Sequence, residues 1–311
     1  MAVTRAVAIA EPGGPDVLRV IERDVRDAGP GEVRLAVRAA AVNPTDVALR
    51  MRGDDTMPPP WVPGMDAAGT VESAAAGEGL AAGDEVMAAV APRRPEGGAQ
   101  AQLLVVPAAS VVPIPSGATL EQAATLPMNG LTALLGLELL DLAPGATLGV
   151  TGGAGLLASY LIPIAKLRGL RVLADAAPAD EELVRGFGAD VVLPRGDDLP
   201  AAMHAAAGGG VDAVFDTAVL GRGILGAIRP GGALAFVRTW DGDDVEDGVT
   251  IHRVLVRHVL ERTEWLHELR DLASRGVPAL RVAETFPPER AADAHRQLEA
   301  GGLRGRGVIV F

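Results

Sequence analysis

Three small residues in a fixed spacing, Gly153, Gly155 and Ala158, follow the apolar run from Thr147 to Val150, with Gly152 just ahead of them. Glycines at the first two places allow a tight turn and a close approach of backbone N–H groups to a phosphate. A small third residue lets a helix pack closely on a strand. Asp175 closes a second apolar run about twenty residues further on, where a carboxylate can hold a ribose hydroxyl. Strand, turn, helix and acid in this order offer one chemistry: a dinucleotide pyrophosphate set on the N-terminus of the helix that opens near Leu156. The plainer alternative is a glycine turn between packed elements. Leu156 and Leu157 are bulky beside such a turn, and Pro163 falls inside the helix, where a proline costs about 3 kcal/mol unless the helix kinks.

Other chemistries are thinned out by composition. The chain has no cysteine, which removes disulfides, thiol nucleophiles and every cysteine-containing zinc site. Its five histidines, at 204, 252, 258, 267 and 295, show no HExxH or related spacing, so no metal is expected. A formal charge of −12 argues against a nucleic-acid partner, because phosphate backbones are held by clustered Lys and Arg. No apolar run reaches the roughly 18 to 20 residues that span a bilayer, so no membrane partner is expected. The N-terminal MAVTRAVAIAEPGG lacks a basic segment followed by a long apolar core, which makes the cytoplasm the expected location.

The elements that must position the turn are readable on either side of it. At 311 residues the chain is long enough for about two domains. Up to about Pro115 it reads as short strands broken by Pro and Gly, with Ala2–Ala10, Glu32–Ala40, Ala101–Val106 and Ser110–Ile114 among them, and a strand, loop and strand across Gly64–Ala88. This half reads as a small β-barrel. After Ser116 the pattern changes: Thr119 can cap a helix from Leu120, and helical stretches then alternate with short apolar runs. The expected parallel strands are Thr147–Val150, Arg171–Ala174, Val191–Leu193, Ala213–Phe215, Ala233–Val237 and Val249–Val256. A helix over Glu261–Ser274, a strand over Ala279–Ala283, a helix over Pro288–Ala300 and a strand over Val308–Phe311 follow, the last of these rejoining the first domain.

The segments EPGGPDVL at 11–18, AAVNPTD at 40–46, VPGMDAAGTVE at 62–72, GDEVMA at 83–88, AATLPMNGLTA at 123–133 and APGATLGVTGGAG at 143–155 occur in order. GADVV at 188–192, GVDAVFDT at 210–217 and RPGGALA at 229–235 continue the series. With them the chain resembles the medium-chain dehydrogenase/reductase superfamily, and within it the zinc-free, quinone oxidoreductase-like (zeta-crystallin-like) branch. The resemblance implies an α/β protein with a GroES-like β-barrel domain at 1–116 and 278–311, and a Rossmann doubly wound parallel-sheet domain at 117–277. Cofactor and substrate would meet between them, and NADPH would give hydride to a quinone, an enone or a similar small molecule without a metal. Where zinc-dependent relatives place a cysteine ligand, this chain runs from Asn43 to Asp46.

The same resemblance assigns candidate residues. Asn43 could donate a hydrogen bond to an enone oxygen as charge develops on it, or only stabilise the turn before Pro44. Asp46 is expected to fix local backbone rather than to exchange protons. Thr132 would lie near the nicotinamide, or else bond its own helix, with Met128 and Asn129 lining the same pocket. Gly152, Gly153, Gly155, Leu156, Leu157 and Ala158 would border the pyrophosphate, Thr217 and Ala218 would pass close to the cofactor, and the run from Val237 to Trp240 would face the nicotinamide. Arg50 and Trp61 would shape the substrate pocket, although Trp61 could equally be core.

Cofactor choice is where the chain departs from the pattern. Asp175 repels a 2′-phosphate and suits the free ribose diol of NADH. Arg195 could approach from the neighbouring strand end and bind that phosphate bidentately, or remain a solvated arginine. The expectation is NADPH, with NADH possible. Relatives also present a tyrosine in loops that here read RMRGDDTMPPPW and PEGGAQAQ, so protonation of a reduced enolate would fall to water or to the substrate. These departures motivate an alternative, a protein of the same fold acting as a cofactor-independent lyase, isomerase or cyclase, or as a ligand-binding protein. A homodimer is expected through an exposed sixth strand.

Overall fold

The computed structural model describes residues 2–74, 79–238 and 240–311, and its chain divides into two compact units. Unit 1 comprises Met1–Met128, Arg257–Gly276 and Leu280–Phe311; unit 2 comprises Asn129–Val256 and Val277–Ala279. Residues 117–128 and 257–276, read above with the parallel-sheet domain, cluster with unit 1.

Unit 1 is mainly antiparallel. β1 (Ala2–Ile9) pairs with β2 (Leu18–Val25) as a two-stranded ribbon. A seven-stranded sheet is built from β3 (Glu32–Ala41), β4 (Asp66–Ala74), β5 (Glu85–Ala89), β6 (Leu103–Pro107), β7 (Val111–Pro113), β15 (Val282–Phe286) and β16 (Arg306–Val310). Its order is β15-β16-β3-β4-β5-β7, with β6 also paired to β3, and only β15 and β16 run parallel. Inward residues of β3, β4, β5 and β6, including Val33, Leu35, Val71, Val86, Leu104 and Val106, form one core cluster. α1 (Pro44–Arg52), α7 (Thr263–Ser274) and α8 (Ala291–Ala300) complete the unit, together with the short α2 (Leu120–Ala123). The Thr119 hydroxyl accepts from the Gln122 N–H at 3.3 Å and opens α2 as a capping box.

Unit 2 is a parallel sheet flanked by helices. β8 (Thr147–Thr151), α4 (Leu156–Leu167), β9 (Arg171–Ala176), α5 (Glu181–Gly186), β10 (Val191–Pro194), α6 (Leu199–Ala206), β11 (Val211–Asp216) and β12 (Ile228–Phe236) alternate, and β13 (Val245–Glu246) and β14 (Val249–Arg253) follow. The order β10-β9-β8-β11-β12-β14 reverses between β8 and β11, the place outside the strand C-termini where doubly wound sheets bind ligands. Thr151 pairs level with Asp216, and Asp216 with Phe236, so these strand ends sit in one row. Residues including Met203, Val214, Leu234 and Ile251 pack one side of the sheet.

Several expectations need correction. The first residues of the RMRGDDTMPPPW stretch, Arg50 to Arg52, are the last turn of helix α1 rather than loop, a helix opened by the N-cap Asn43, Pro44 in the first helical position and an acid three residues on from the cap. The sixth strand stops at Arg253, and it is not a bare edge: β13 pairs with it antiparallel through a two-residue turn in which Asp247 and Gly248 both have positive φ, 51° and 76°. The stretch Leu120–Leu140, which contains α3 (Pro127–Leu140), is long and apolar enough to span a bilayer. Its 18-residue window is 89% buried within the protein, so its apolarity serves the core. Pro163 lies within α4 without ending it.

Candidate active site

In unit 2 the glycine turn occupies the C-terminal end of β8. Gly152 has φ +66°, a left-handed conformation that disfavours any side chain, and a Cβ on Gly153 would lie 2.5 Å from the Asp175 carbonyl oxygen. Gly155 is the N-cap of α4. The first-turn N–H groups of a helix have no intrahelical acceptor, so the start of α4 offers donors and a positive dipole end to an anion. Leu156, 4% exposed, and Ala158, fully buried, belong to the core, and Leu157 is half-buried.

Asp175 grips this turn twice and holds Arg195 with its remaining oxygen. Its main-chain oxygen accepts from Gly153 N–H at 3.1 Å, its carboxylate Oδ1 accepts from Gly152 N–H, and Oδ2 accepts from Arg195 Nε at 2.7 Å. The side chain is 3% exposed while that of Arg195 is 50% exposed. The acid at the second strand end is thus turned inward, which corrects the expectation that it offers a free carboxylate to a ribose diol. The reason lies in the pairing of β10 with β9: Leu193 sits level with Asp175, and Arg195, just past the strand end, has its N–H bonded to the Ala176 carbonyl oxygen.

The end of β11 closes the other flank. Thr217 Oγ1 donates to the Thr151 carbonyl at 2.5 Å, Ala218 N–H donates to Thr151 Oγ1 at 3.0 Å, and Thr151 Oγ1 donates to the Asp216 carboxylate. A Cβ on Gly152 would come 3.1 Å from Thr217 Oγ1 and 3.3 Å from Ala218 Cβ, so the structure brings these residues against the turn. Val237 is half-buried just beyond β12; Thr239, part of the run expected to face the nicotinamide, lies outside the described residues. Asn129 and Thr132 are buried on α3.

Unit 1 holds the remaining candidates in a buried polar cluster. Asp46 accepts from Asn43 N–H at 2.7 Å and from Gly64 N–H at 2.8 Å, fixing the start of α1. The Asn43 amide is itself committed: Nδ2 donates to Asp66 Oδ2 at 2.6 Å, and Oδ1 accepts from Arg306 Nε at 2.9 Å. Asn43 is fully buried, so the structure favours bracing over donation to a substrate oxygen. Met128 enters through its backbone, its N–H donating to Asp66 Oδ1 at 2.6 Å. Burial pushes the Asp66 carboxyl up to about 7 and that of Asp46 up to about 6, against the lowering effect of the hydrogen bonds they accept.

Arg50 and Trp61 are both core residues. Arg50 is 1% exposed, donates from Nε to the Gly13 carbonyl at 3.1 Å and forms a bidentate pair with Glu299 at 3.0 and 2.6 Å, which removes it from any substrate pocket. Trp61 packs with Ile9, Leu49 and Phe286, and its Nε1 donates to the Met57 carbonyl. Sequence reasoning missed Asp66, Arg306 and Glu299. Asp66 stands inside the PGMDAAG segment, whereas nothing local marks the other two. It also missed Gln100, fully buried in the tyrosine-free PEGGAQAQ loop, neither of whose amide atoms has a partner among the described residues. Among those residues no group of three His, Asp or Glu side chains is placed to hold a metal.

Two family models match the chain: an alcohol dehydrogenase GroES-like domain at 29–116 and a zinc-binding dehydrogenase domain at 187–309. A component of the pikromycin polyketide synthase of Streptomyces venezuelae is 30% identical over 91% of this chain, which spans 8% of that protein's length. The NADPH-dependent alkenal/one oxidoreductase of Arabidopsis thaliana chloroplasts is 30% identical, covering 98% of this chain and 79% of its own. The mycobacterial protein Rv1454c, solved in complex with NADPH, superposes with a TM-score of 0.85 at 28% identity, covering 99% of this chain and 100% of its own.

Proposed function

The chain belongs to the medium-chain dehydrogenase/reductase superfamily, in its zinc-free quinone oxidoreductase-like branch, and on that premise we propose that it reduces a quinone or an α,β-unsaturated carbonyl with NADPH. One observation carries the reading: a glycine turn with a left-handed Gly152 and no room for a side chain at Gly153, set where the strand order of a doubly wound sheet reverses. The turn, the N-cap Gly155 and the donors at the start of α4 fit a pyrophosphate.

NADPH, when bound, supplies the hydride. The residues of the chain bind and orient. Gly152, Gly153, Gly155 and the first turn of α4, bordered by Leu156, Leu157 and Ala158, hold the phosphates, and Asp175 keeps the turn in place from behind. Thr217 and Ala218, braced by Thr151, carry the backbone past the turn, with Val237 beyond the neighbouring strand end. Thr132 and Asn129 are proposed toward the nicotinamide and Met128 toward the substrate. Asn43 and Asp46 hold the α1 terminus and the Asp66 carboxylate within unit 1.

The cofactor-independent alternative rested on Leu156, Leu157, Pro163, the acid at 175 and the missing tyrosines. Leu156 is in the core, α4 runs through Pro163, and Asp175 is paired, so no structural observation favours it. Mixing the purified protein with NADPH or NADH and a panel of quinones and enones tests the proposal by cofactor absorbance; absence of turnover in every pairing would defeat it. A cytoplasmic homodimer belongs to the same proposal. Edge pairing would run through β13, where Val245 is 60% exposed, and a monomeric mass by light scattering at micromolar concentration would contradict it.

A further inference from the structure

We propose that Asp175 serves as the positioning residue for Arg195, and that the pair makes the site selective for the 2′-phosphorylated dinucleotide. The inference rests on the dinucleotide reading of the turn and reverses what an acid at the second strand end ordinarily implies, which is a free ribose diol.

A diol-binding carboxylate needs an exposed oxygen with a lone pair to offer. The Asp175 side chain is 3% exposed, and both its oxygens already accept, one from Gly152 N–H and one from Arg195 Nε. Its charge is opposed by the guanidinium 2.7 Å away, so the repulsion of a bare acid toward a phosphate is cancelled at its source. One carboxylate bridges the first N–H of the turn and the guanidinium, which places Arg195 beside the phosphate-binding loop. Only Nε of the side chain is engaged. Among the described residues neither Nη nitrogen has a hydrogen-bond partner, and the side chain is 50% exposed. Asp197 and Asp198, close by in sequence, form no ion pair with it among the described residues. What remains is the planar two-nitrogen edge that fits two phosphate oxygens at once.

Fixing the Nε end also restricts an arginine side chain that otherwise carries about 2 kcal/mol of rotamer entropy, so less is lost when phosphate binds. Removing the acid should therefore weaken NADPH binding, where an acid that merely repelled phosphate would have the opposite effect.

The test is direct binding of NADPH and of NADH to the full chain by fluorescence titration, with no substrate present. Arg195→Met is expected to weaken NADPH by about 10- to 100-fold, as loss of charged hydrogen bonds implies, and to change NADH less than about twofold. Asp175→Asn keeps an oxygen for Gly152 N–H and removes the ion pair; it should weaken NADPH severalfold, and the double variant should be no weaker than Arg195→Met. Tighter NADPH binding by Asp175→Asn overturns the proposal. Equal weakening of both dinucleotides by Arg195→Met also overturns it, since the guanidinium would then meet the shared pyrophosphate. Should Asp175→Asn not fold, Arg195→Met alone decides. A wild-type chain that binds NADH but not NADPH sinks the proposal and leaves the dinucleotide reading standing, whereas one that binds neither sinks both.

Discussion

Arg50 and Arg195 each meet a carboxylate, and the two pairs are opposites in what they leave over. Arg50 is 1% exposed, and its Nε and both Nη nitrogens find partners inside unit 1. Arg195 engages Nε alone and keeps half its side chain in solvent. A charged side chain whose hydrogen-bonding capacity is exhausted within the fold acts on stability, and one held at a single point with capacity left can act on a ligand. The cluster of Asn43, Asp46 and Asp66 falls on the exhausted side, and so do Thr151 and Asp216 behind the glycine turn.

The sharpest way to break this comparison is to change the charge of the buried acids. Asp66 titrates near 7 in the fold against 3.8 ordinarily, and Asp46 near 6, because burial disfavours their charged forms. A raised pKa gives stability that is full below about 4 and is lost as pH rises through the folded value. For Asp66 alone three pH units are on the order of 4 kcal/mol. Urea unfolding between pH 4 and 8 should show that fall, and Asp66→Asn should flatten it. An unchanged slope would mean Asp66 is solvated in the fold.

Next in size is Glu299→Gln. It strands a buried guanidinium, and breaking a buried pair costs about 3 to 5 kcal/mol, with the low end expected because Glu299 is 35% exposed. Dinucleotide affinity should not move. If affinity falls while stability holds, the division between exhausted and available arginines is wrong.

His295, on α8 beside Arg50, tilts stability the other way. Both ring nitrogens are buried without partners among the described residues, and desolvation, aided by Arg50, lowers its pKa to about 4. A depressed pKa gives stability that is present above about 6.5 and lost as pH falls through 4, on the order of 3 kcal/mol. His295→Leu should stabilise the protein at pH 5 and remove that limb of the curve. The opposing slope of Asp66 would then stand alone, which makes the two variants controls for each other.

How much of this was legible in the sequence follows from how local each feature is. The glycine turn is backbone chemistry written in adjacent residues, and it was readable together with the strand on either side. Thr119 announced a helix start at Leu120 in the same way, and the structure adds Gln122 as its capping-box partner. The direction of the Asp175 side chain was not readable, because it depends on how β10 delivers Arg195 twenty residues later. Arg50 and Glu299 are separated by 249 residues, and no spacing rule relates them. Two further local signals stand in adjacent residues. Asn43-Pro44 with Asp46 marks a helix start, and Asp247-Gly248 marks the hairpin that covers β14.

The smallest expected effect tests the boundary of the comparison at Thr217, half-buried at the end of β11. Its hydroxyl donates to the Thr151 carbonyl at 2.5 Å and lies near the space a Gly152 side chain would need, so it touches the turn while its donor is already engaged. If engagement decides the role, Thr217→Val should cost about 1 kcal/mol of stability, the net worth of one hydrogen bond. It should weaken NADPH and NADH equally and only slightly, by loosening the wall of the turn. Thr217→Ser, which keeps the donor, should restore both. A loss of NADPH affinity that exceeds the loss for NADH and is repaired by serine would place the Thr217 hydroxyl in the binding role and move this residue to the side of Arg195.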